Sequence, residues 1–157
     1  MNDSDIVGRL SALGLELPPA PKPVASYVSV VVAGSLAFVS GQVGLVDGSL
    51  LHPGKVGGEV SIEQAQEAAQ QCALQSLSAL RAELGSFDRL VRIAQVTVYI
   101  ATTPDFGEHP KVANGASELL VAVLGDAGKH ARAAIGMASL PLGGCIEVAV
   151  TAEVAAS

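Results

Sequence analysis

The amino-acid sequence predicts one α+β domain, in which two helices pack on one face of a β-sheet. The chain has 157 residues, of which 50% are hydrophobic and 15% charged, and this length suits a single domain with its own core. Two segments, 61–84 and 104–124, repeat apolar residues at helical spacing. Runs of β-branched residues surround them. The resulting order of strand, strand, helix, strand, helix, strand, strand is typical of helices layered on one sheet.

The N-terminal segment is expected to be an addition to this domain. A short helix is predicted over residues 3–14, capped by Asp3 or Ser4 and ended by a glycine. Four of the eight prolines follow it, and proline cannot donate a hydrogen bond to a β-ladder. We therefore divide the chain into an N-terminal helix with a proline-rich extension, 1–23, and a main domain, 24–157.

The first two strands are predicted to form a hairpin. Tyr27–Val32 and Leu36–Ser40 are rich in β-branched and apolar residues, and a three-residue loop containing Gly34 separates them. Residues 41–58 hold many glycines and prolines, which predicts turns with one short strand.

The first long helix is predicted to begin after Ser61. Ser61 and Gln64 form a capping box, in which each side chain can bind the backbone N–H of the other residue. Gly85 is the stop signal. Because the apolar face of this helix is made mostly of small residues, we expect it to pack closely on the sheet.

The remaining elements alternate along the chain. Val91–Ile100 is predicted to be a strand, and a second helix is predicted to begin near Pro104 and to end at Gly125. Arg132–Ala138 and Ile146–Val154 are predicted as the last two strands. The apolar stripe of the second helix contains Val112, Ala116, Leu119, Leu120 and Val123.

Charge and composition argue against several functions. The net charge is −6 and no cluster of lysines and arginines exists, so we expect no nucleic-acid partner, because phosphate binding needs a basic patch. No apolar run reaches the roughly 18 residues of a membrane span, and the N-terminus lacks an apolar signal-peptide core. We therefore expect a cytoplasmic protein without a membrane partner. The shortage of charge also indicates subunit interfaces, which are more apolar than ordinary surface.

The cysteines and histidines form no recognisable site in the sequence. Cys72 and Cys145 lie far apart and are interpreted as two buried thiols. His52, His109 and His130 have no metal-ligand spacing, and are interpreted as structural or surface residues. No metal and no cofactor is expected.

The last two strands carry the most informative side chains. Arg132 heads a row of small residues, and Glu147 lies among small residues on the strand face that points away from the helices. We expect these strands to pair antiparallel about residues 140–144, with Arg132 and Glu147 near the same end of the hairpin. The arginine could bind a carboxylate bidentately, and the glutamate could position a water or move a proton. The alternatives are a surface arginine beside a packed interface and a solvated glutamate.

Several motifs taken together resemble a known family. They are FVSGQVG at 38–44, VTVYI at 96–100, DFGEHPKVANGASELL at 105–120, HARAAIGMASLPLGG at 130–144 and IEVAVTAEV at 146–154. In these segments the chain resembles the Rid (YjgF/YER057c/UK114) family of enamine/imine deaminases, from about Tyr27 to Val154.

The resemblance implies both a fold and an activity. The fold would be chorismate-mutase-like, with one mixed sheet, two helices on one face, and a homotrimer whose sheets form a central β-barrel. The activity would be hydrolysis of reactive 2-enamine and 2-imine acids, such as 2-aminoacrylate, to 2-keto acids and ammonia in clefts between subunits. The alternative is a non-catalytic trimeric binding protein for small carboxylates. A ribonuclease activity, also attached to some relatives, conflicts with the charge of −6.

The resemblance assigns roles to individual residues. Arg132 matches the arginine that binds the substrate carboxylate, and Glu147 matches the glutamate that helps to orient or activate water. Tyr27 and Ser40 match a tyrosine and a serine of the same catalytic pocket.

Three further positions would line that pocket. Gly41 would contribute its backbone, and Asn114 matches an asparagine of the second helix. Ala134 stands two residues after the arginine, where active deaminases commonly carry cysteine, and this departure supports the binding-protein alternative.

Overall fold

A five-stranded sheet forms the centre of the molecule. The computed structural model describes residues 2–22 and 26–156, so the expected boundary between 23 and 24 lies outside the described residues. The sheet contains β1 (Val30–Ala33), β2 (Leu36–Val43), β5 (Leu90–Ala101), β6 (Ala131–Met137) and β7 (Ile146–Val154), in the order β1-β2-β7-β5-β6. A two-stranded hairpin, β3 (Leu45–Val46) and β4 (Ser49–Leu50), stands apart from it.

The sheet is mixed, as predicted. The pairs β1–β2, β2–β7 and β5–β7 are antiparallel, and β5–β6 is parallel. The predicted first hairpin is confirmed, because β1 and β2 pair directly around Gly34, whose φ is 62°.

The predicted pairing of the last two strands is wrong. β6 and β7 do not touch as neighbours, because β5 lies between them. The helix between β5 and β6 returns the chain to the same end of the sheet, which makes β6 run parallel to β5 along one edge. β7 then pairs antiparallel with the other edge of β5. A short link between consecutive strands therefore does not make a hairpin here.

Three α-helices in the described part of the chain lie on the apolar side of the sheet: α1 (Asp3–Ala12), α2 (Ile62–Leu84) and α3 (His109–Leu124). The capping box of α2 is confirmed, with Gln64 N donating to Ser61 Oγ at 3.1 Å and Ser61 N donating to Gln64 Oε1 at 3.0 Å. Gly85 ends α2 in a left-handed conformation, with φ 79°.

α3 begins later than predicted, at His109 rather than near Pro104. Residues 104 and 105 form a turn instead, which Phe106 N closes by donating to the carbonyl of Thr103 at 3.2 Å, and residues 106–108 are irregular. Pro110 lies in the first helical turn, where a missing N–H costs no intrahelical hydrogen bond. The predicted apolar stripe of α3 is buried throughout.

α1 is fastened to the body of the domain. Ile6 and Leu10 are buried in the common core. Its cap is Asn2, whose Oδ1 accepts from Ser4 N at 2.9 Å, and not Asp3 or Ser4. The carboxylate of Asp3 is used elsewhere, because both of its oxygens accept from Arg81 on α2, at 2.9 and 2.8 Å.

The two faces of the sheet differ. The alternating side chains of β7 that face the helices are all buried, as predicted. We call the opposite side of the sheet the open face, and it carries the side chains of Glu147, Thr151 and Tyr99. Within residues 2–22 and 26–156, no helix is long and apolar enough to cross a membrane.

Candidate functional site

The predicted site residues fall into two groups on opposite faces of the sheet. Arg132 pairs with Val96, whose side chain is buried against the helices. Glu147 pairs with Tyr99 on the open face. Arg132 and Glu147 of one chain therefore do not meet, and the expectation that they lie near the same end of a hairpin is wrong.

Arg132 is held against α3 by hydrogen bonds. Its Nη1 donates to Asn114 Oδ1 at 2.8 Å and to Ser117 Oγ at 3.1 Å, and its Nη2 donates to the carbonyl of Pro110 at 3.3 Å. The three acceptors are spaced four and three residues apart, and so they share one side of the helix. Asn114, which the sequence predicted as a pocket residue, thus orients the guanidinium.

The guanidinium keeps donors free for a ligand. Arginine has five N–H donors, and the contacts within the described residues use three of them. The remaining two belong to the neighbouring nitrogens Nε and Nη2. Two donors on adjacent nitrogens are what a bidentate carboxylate requires.

A serine and a histidine that sequence reasoning did not select adjoin Arg132. Ser117 Oγ lies 2.9 Å from His130 Nε2, and His130 Nδ1 lies 2.6 Å from the carbonyl oxygen of Gly128. With Arg132, these two residues line an open cleft of about 270 Å³, together with Val121 and Lys129. The signal was present in the sequence: Ser117 is one helical turn after Asn114, and His130 is two residues before Arg132.

Ala134 lies two residues beyond Arg132 on the same strand face. It is partly buried and packs against the hydrophobic core. A cysteine at this position would therefore add a sulfur to a partly buried site.

The second group lies where β2 and β7 meet. The pairing of these strands shifts between Val39 and Gln42, so Ser40 and Gly41 form a bulge. A Cβ on Gly41 would overlap Glu147 Oε1 and would lie 2.9 Å from Glu147 Cδ. The carboxylate of Glu147 thus lies directly over the Gly41 backbone, in the space that a Cβ at this position would fill.

The environment of Glu147 favours its neutral form. Burial raises the pKa of this carboxyl above its ordinary value of 4.5. Among the described residues, no hydrogen bond or ion pair to the carboxylate offsets that effect. A carboxyl with a raised pKa holds its proton to a higher pH than an exposed glutamate does, which is typical of groups that exchange protons at functional sites.

Ser40 lies in the same bulge and is bonded to the segment that follows Tyr27. The hydroxyl of Ser40 donates to the carbonyl of Val28 at 2.7 Å, and Ser40 N donates to the carbonyl of Ser29 at 2.9 Å. These bonds fix the segment that presents Tyr27, whose side chain is exposed. Ser40 therefore ties the segment that precedes β1 to β2.

Comparison with known proteins identifies the family. Residues 7–154 match the family described as "YjgF/chorismate_mutase-like, putative endoribonuclease". The chain belongs to the YjgF, or Rid, family.

The relatives of this YjgF-family chain span nearly its whole length. Protein TCP17 of Trypanosoma cruzi is 40% identical over 149 residues, which are 94% of this chain and 93% of that protein. The crystal structure of Atu1372 from Agrobacterium tumefaciens, a protein of unknown function, superimposes with a TM-score of 0.92 and 40% identity over 98% of this chain and 94% of that one. A "putative endoribonuclease" from Shewanella oneidensis MR-1 has a TM-score of 0.91 and 30% identity, over 94% of this chain and 98% of that one.

The two cysteines of this YjgF-family chain are not part of either group. Both are buried and unbonded to each other, as predicted. Burial raises the pKa of Cys145 to about 11 and the pKa of Cys72 well above its ordinary value. Neither thiol is therefore a thiolate at neutral pH, which argues against a nucleophilic role.

Proposed function

We propose that this YjgF-family chain hydrolyses reactive 2-enamine and 2-imine acids, such as 2-aminoacrylate, to 2-keto acids and ammonia. The observation that carries the proposal is the state of Arg132. Its guanidinium is fixed by three hydrogen bonds and retains two donors on adjacent nitrogens, beside an open cleft. A fixed guanidinium fork suits the carboxylate that all these substrates share.

The site is proposed to lie between copies of the chain in a homotrimer. The separation of Arg132 from Glu147 within one chain supports this, because a single chain cannot apply both groups to one small ligand. Exposed apolar side chains on the open face, Val31, Phe38 and Ile135, also support a covering partner. In such an assembly, Arg132 of one copy and Glu147 of the next line the same cleft.

The chemistry follows from the two groups. The substrate carboxylate binds Arg132, and the enamine tautomerises to the imine. A water that Glu147 positions over Gly41, with Tyr27 and Ser40 nearby, attacks the imine carbon. The C–N bond then breaks, and ammonia and the keto acid leave. Because such imines also hydrolyse unaided, positioning and proton transfer suffice, and the latter commonly contributes about 10²–10⁴-fold.

A second candidate is a binding protein that holds a small carboxylate without turnover. The alanine at position 134, where active relatives are expected to carry cysteine, favours it. The ribonuclease activity in the family description receives less support, because the chain has a net charge of −6 and phosphate binding requires basic residues.

A coupled assay separates these functions. A dehydratase that depends on pyridoxal phosphate generates 2-aminoacrylate, and the release of keto acid is followed with and without this protein. We expect acceleration by the wild-type chain, none by Arg132→Ala, and full acceleration by Arg89→Ala. Arg89 is the matched control, because its guanidinium binds only the carbonyl of Ala155 among the described residues. Binding of a keto acid without acceleration would replace the deaminase by the binding protein.

A further inference from the structure

The hydrogen bonds between Arg132 and His130 fix where each hydrogen lies. In the neutral imidazole, His130 Nδ1 carries the hydrogen, because it lies 2.6 Å from the Gly128 carbonyl oxygen, which can only accept. His130 Nε2 therefore presents a lone pair, and the Ser117 hydroxyl, 2.9 Å away, donates to it. The lone pairs of Ser117 Oγ are then free to accept from Arg132 Nη1 at 3.1 Å. The neutral imidazole thus holds the hydroxyl in the orientation that the guanidinium needs.

A proton added to His130 would place a second cation on the same hydroxyl. His130 Nε2 would become a donor, and Ser117 Oγ would accept from the imidazolium and the guanidinium together. Two like charges that share one oxygen repel each other, which disfavours the charged imidazole. Burial lowers the pKa of His130 below its ordinary value of 6.5, the Gly128 hydrogen bond opposes this effect, and Arg132 lowers the pKa further. The charge of Arg132 and a proton on His130 therefore compete.

The other charged groups around His130 leave this competition in place. Lys129, the preceding residue, ion pairs with Asp126 at 2.7 Å, and both side chains are largely exposed. Arg92 on β5 donates to the Lys129 carbonyl at 3.3 Å. On α3, the exposed Glu118 follows the serine that meets the imidazole. In the described part of the chain, no carboxylate hydrogen bonds or ion pairs with the imidazole or with the guanidinium beside it.

We propose that Ser117 and His130 position the Arg132 guanidinium and link the binding of a carboxylate there to the uptake of a proton by His130. The inference rests on the proposed function, which places a carboxylate on Arg132. The bound carboxylate offsets the charge of the guanidinium, so the repulsion that disfavours the imidazolium is removed. The linkage is reciprocal, so carboxylates bind more tightly when His130 is protonated. The proton comes from solvent and stays on Nε2, and no bond to the ligand forms or breaks. Both residues are positioning residues, because they act through Arg132.

Titration of His130 with and without a carboxylate tests the linkage. The nitrogen resonances of the imidazole ring are followed by NMR against pH, first in the protein alone and then with saturating pyruvate, the keto acid that 2-aminoacrylate yields. We expect neutral His130 to carry its hydrogen on Nδ1, and its pKa to rise by about 0.5–1 pH unit when pyruvate is bound. The Kd for pyruvate should accordingly fall by about 3- to 10-fold as the pH is lowered through the titration of His130.

Matched variants assign the effect to these side chains. His130→Gln should bind pyruvate with the same Kd across this pH range, whereas His52→Gln should keep the wild-type pH dependence. His52 is the control because it hydrogen bonds Glu67 at 2.7 Å, outside this cleft. Ser117→Ala should raise the Kd at about pH 8 by about 3- to 10-fold, because the guanidinium loses one of its anchors and more of its freedom on binding. Ser117→Thr keeps the hydroxyl and should restore the Kd.

A second titrating group near the proposed ligand is accounted for in the same series. Burial raises the pKa of Glu147, and protonation of this carboxyl on the neighbouring copy would also favour an anion. The Kd series is therefore repeated with Glu147→Gln. The pH dependence that remains in this variant should disappear when His130→Gln is added. If it persists in the double variant, His130 is not the group that takes up the proton.

The outcomes separate this inference from the proposed function. If the wild-type protein accelerates the hydrolysis of 2-aminoacrylate but the pKa of His130 is the same with and without pyruvate, the linkage is wrong and the deaminase function stands. A hydrogen on Nε2 of neutral His130, or binding by Ser117→Thr as weak as by Ser117→Ala, would overturn the positioning role. If the reaction is not accelerated but the pKa still rises on binding, the inference holds for the binding protein. Pyruvate binding that Arg132→Ala leaves unchanged would overturn the inference and the proposed site together.

Discussion

Arg132 and Glu147 lie on opposite faces of one sheet, and β5 separates their strands. Arg132 points toward α3, where Asn114 and Ser117 hold it, and Glu147 lies over the backbone of Gly41 on the open face. Each face thus carries one of the two groups on which the proposed deaminase function depends. The proposed site consequently requires a second copy of the chain.

Replacing Gly41 by alanine should displace the Glu147 carboxylate, because the added Cβ would overlap its oxygen. We expect kcat in the coupled assay to fall by about 10-fold or more, since displacements of about 1 Å at a reacting centre cost up to about 10²-fold. Gly107→Ala is the control, because nothing lies within 4 Å of its added Cβ. Equal activity of Gly41→Ala and wild type would show that the position of the carboxylate does not matter.

Glu147→Gln should make the protein more stable at neutral pH while it removes activity. Because the pKa of Glu147 is raised in the folded state, the unfolded chain loses this proton at lower pH than the folded chain does. Stability therefore falls as the pH rises above 4.5. Thermal unfolding should show a higher Tm for Glu147→Gln at pH 7 and no gain at about pH 4, where both states hold the proton. Glu153→Gln, on the same strand face, serves as the control. A lower Tm for Glu147→Gln than for the wild type at pH 7 would contradict the predicted destabilisation by the buried carboxylate.

Asp3→Asn should loosen α1 in a way that depends on pH. The hydrogen bonds from Arg81, and then the one from Phe87 N, lower the pKa of Asp3 from 3.8 to about 2. The stabilisation is therefore complete above pH 3.8 and is lost as the pH falls through about 2. We expect Tm to drop by about 2–4 °C at pH 7, and the difference from wild type to shrink below pH 3.8. A difference that persists unchanged at pH 2 would rule out the carboxylate as its source, and the exposed Asp5→Asn is the control.

Gly115→Ala should separate α3 from α2. An added Cβ would lie 2.7 Å from Gln66 Cα and 2.8 Å from its carbonyl carbon, and overpacking of this kind costs about 1–3 kcal/mol. Gly8→Ala, within α1, has no atom within 4 Å of its added Cβ, and should gain about 0.5–1 kcal/mol because alanine suits a helix better. Urea unfolding measures the free energy of unfolding of both variants. Equal changes in the two variants would contradict the predicted overpacking at Gly115.

Local signals in the sequence were sufficient for most of the elements. The Ser61–Gln64 capping box, the Gly85 stop and the alternation of Ile146–Val154 each depend on near neighbours, and the structure confirms them. The pairing of β6 and β7 is decided by the crossover through α3, which lies outside both strands. That is why the sequence misplaced Arg132 relative to Glu147.

The supporting residues of the site were harder to predict for a related reason. Ser117 and His130 meet Arg132 only after α3 packs against β6, so their spacing from Asn114 and Arg132 becomes informative only once that packing is known. The start of α3 was misjudged because Pro104 and Pro110 both fit a first helical turn. Thr103 N donates to the carbonyl of Val56, and Phe106 N donates to the carbonyl of Thr103. These bonds hold the segment around Pro104 in a turn, so the helix begins near Pro110 instead.

Complementation between two inactive variants tests most directly whether the site lies between copies. Arg132→Ala and Glu147→Gln are purified separately, shown to be inactive in the coupled assay, and then unfolded and refolded together in equal amounts. If each site takes its arginine from one copy and its glutamate from the next, random mixing leaves the arginine intact in half of the sites and the glutamate intact in half of those. About a quarter of the wild-type activity should therefore return. A mixture that contains both variants in one assembly and remains as inactive as either alone would contradict the intersubunit site.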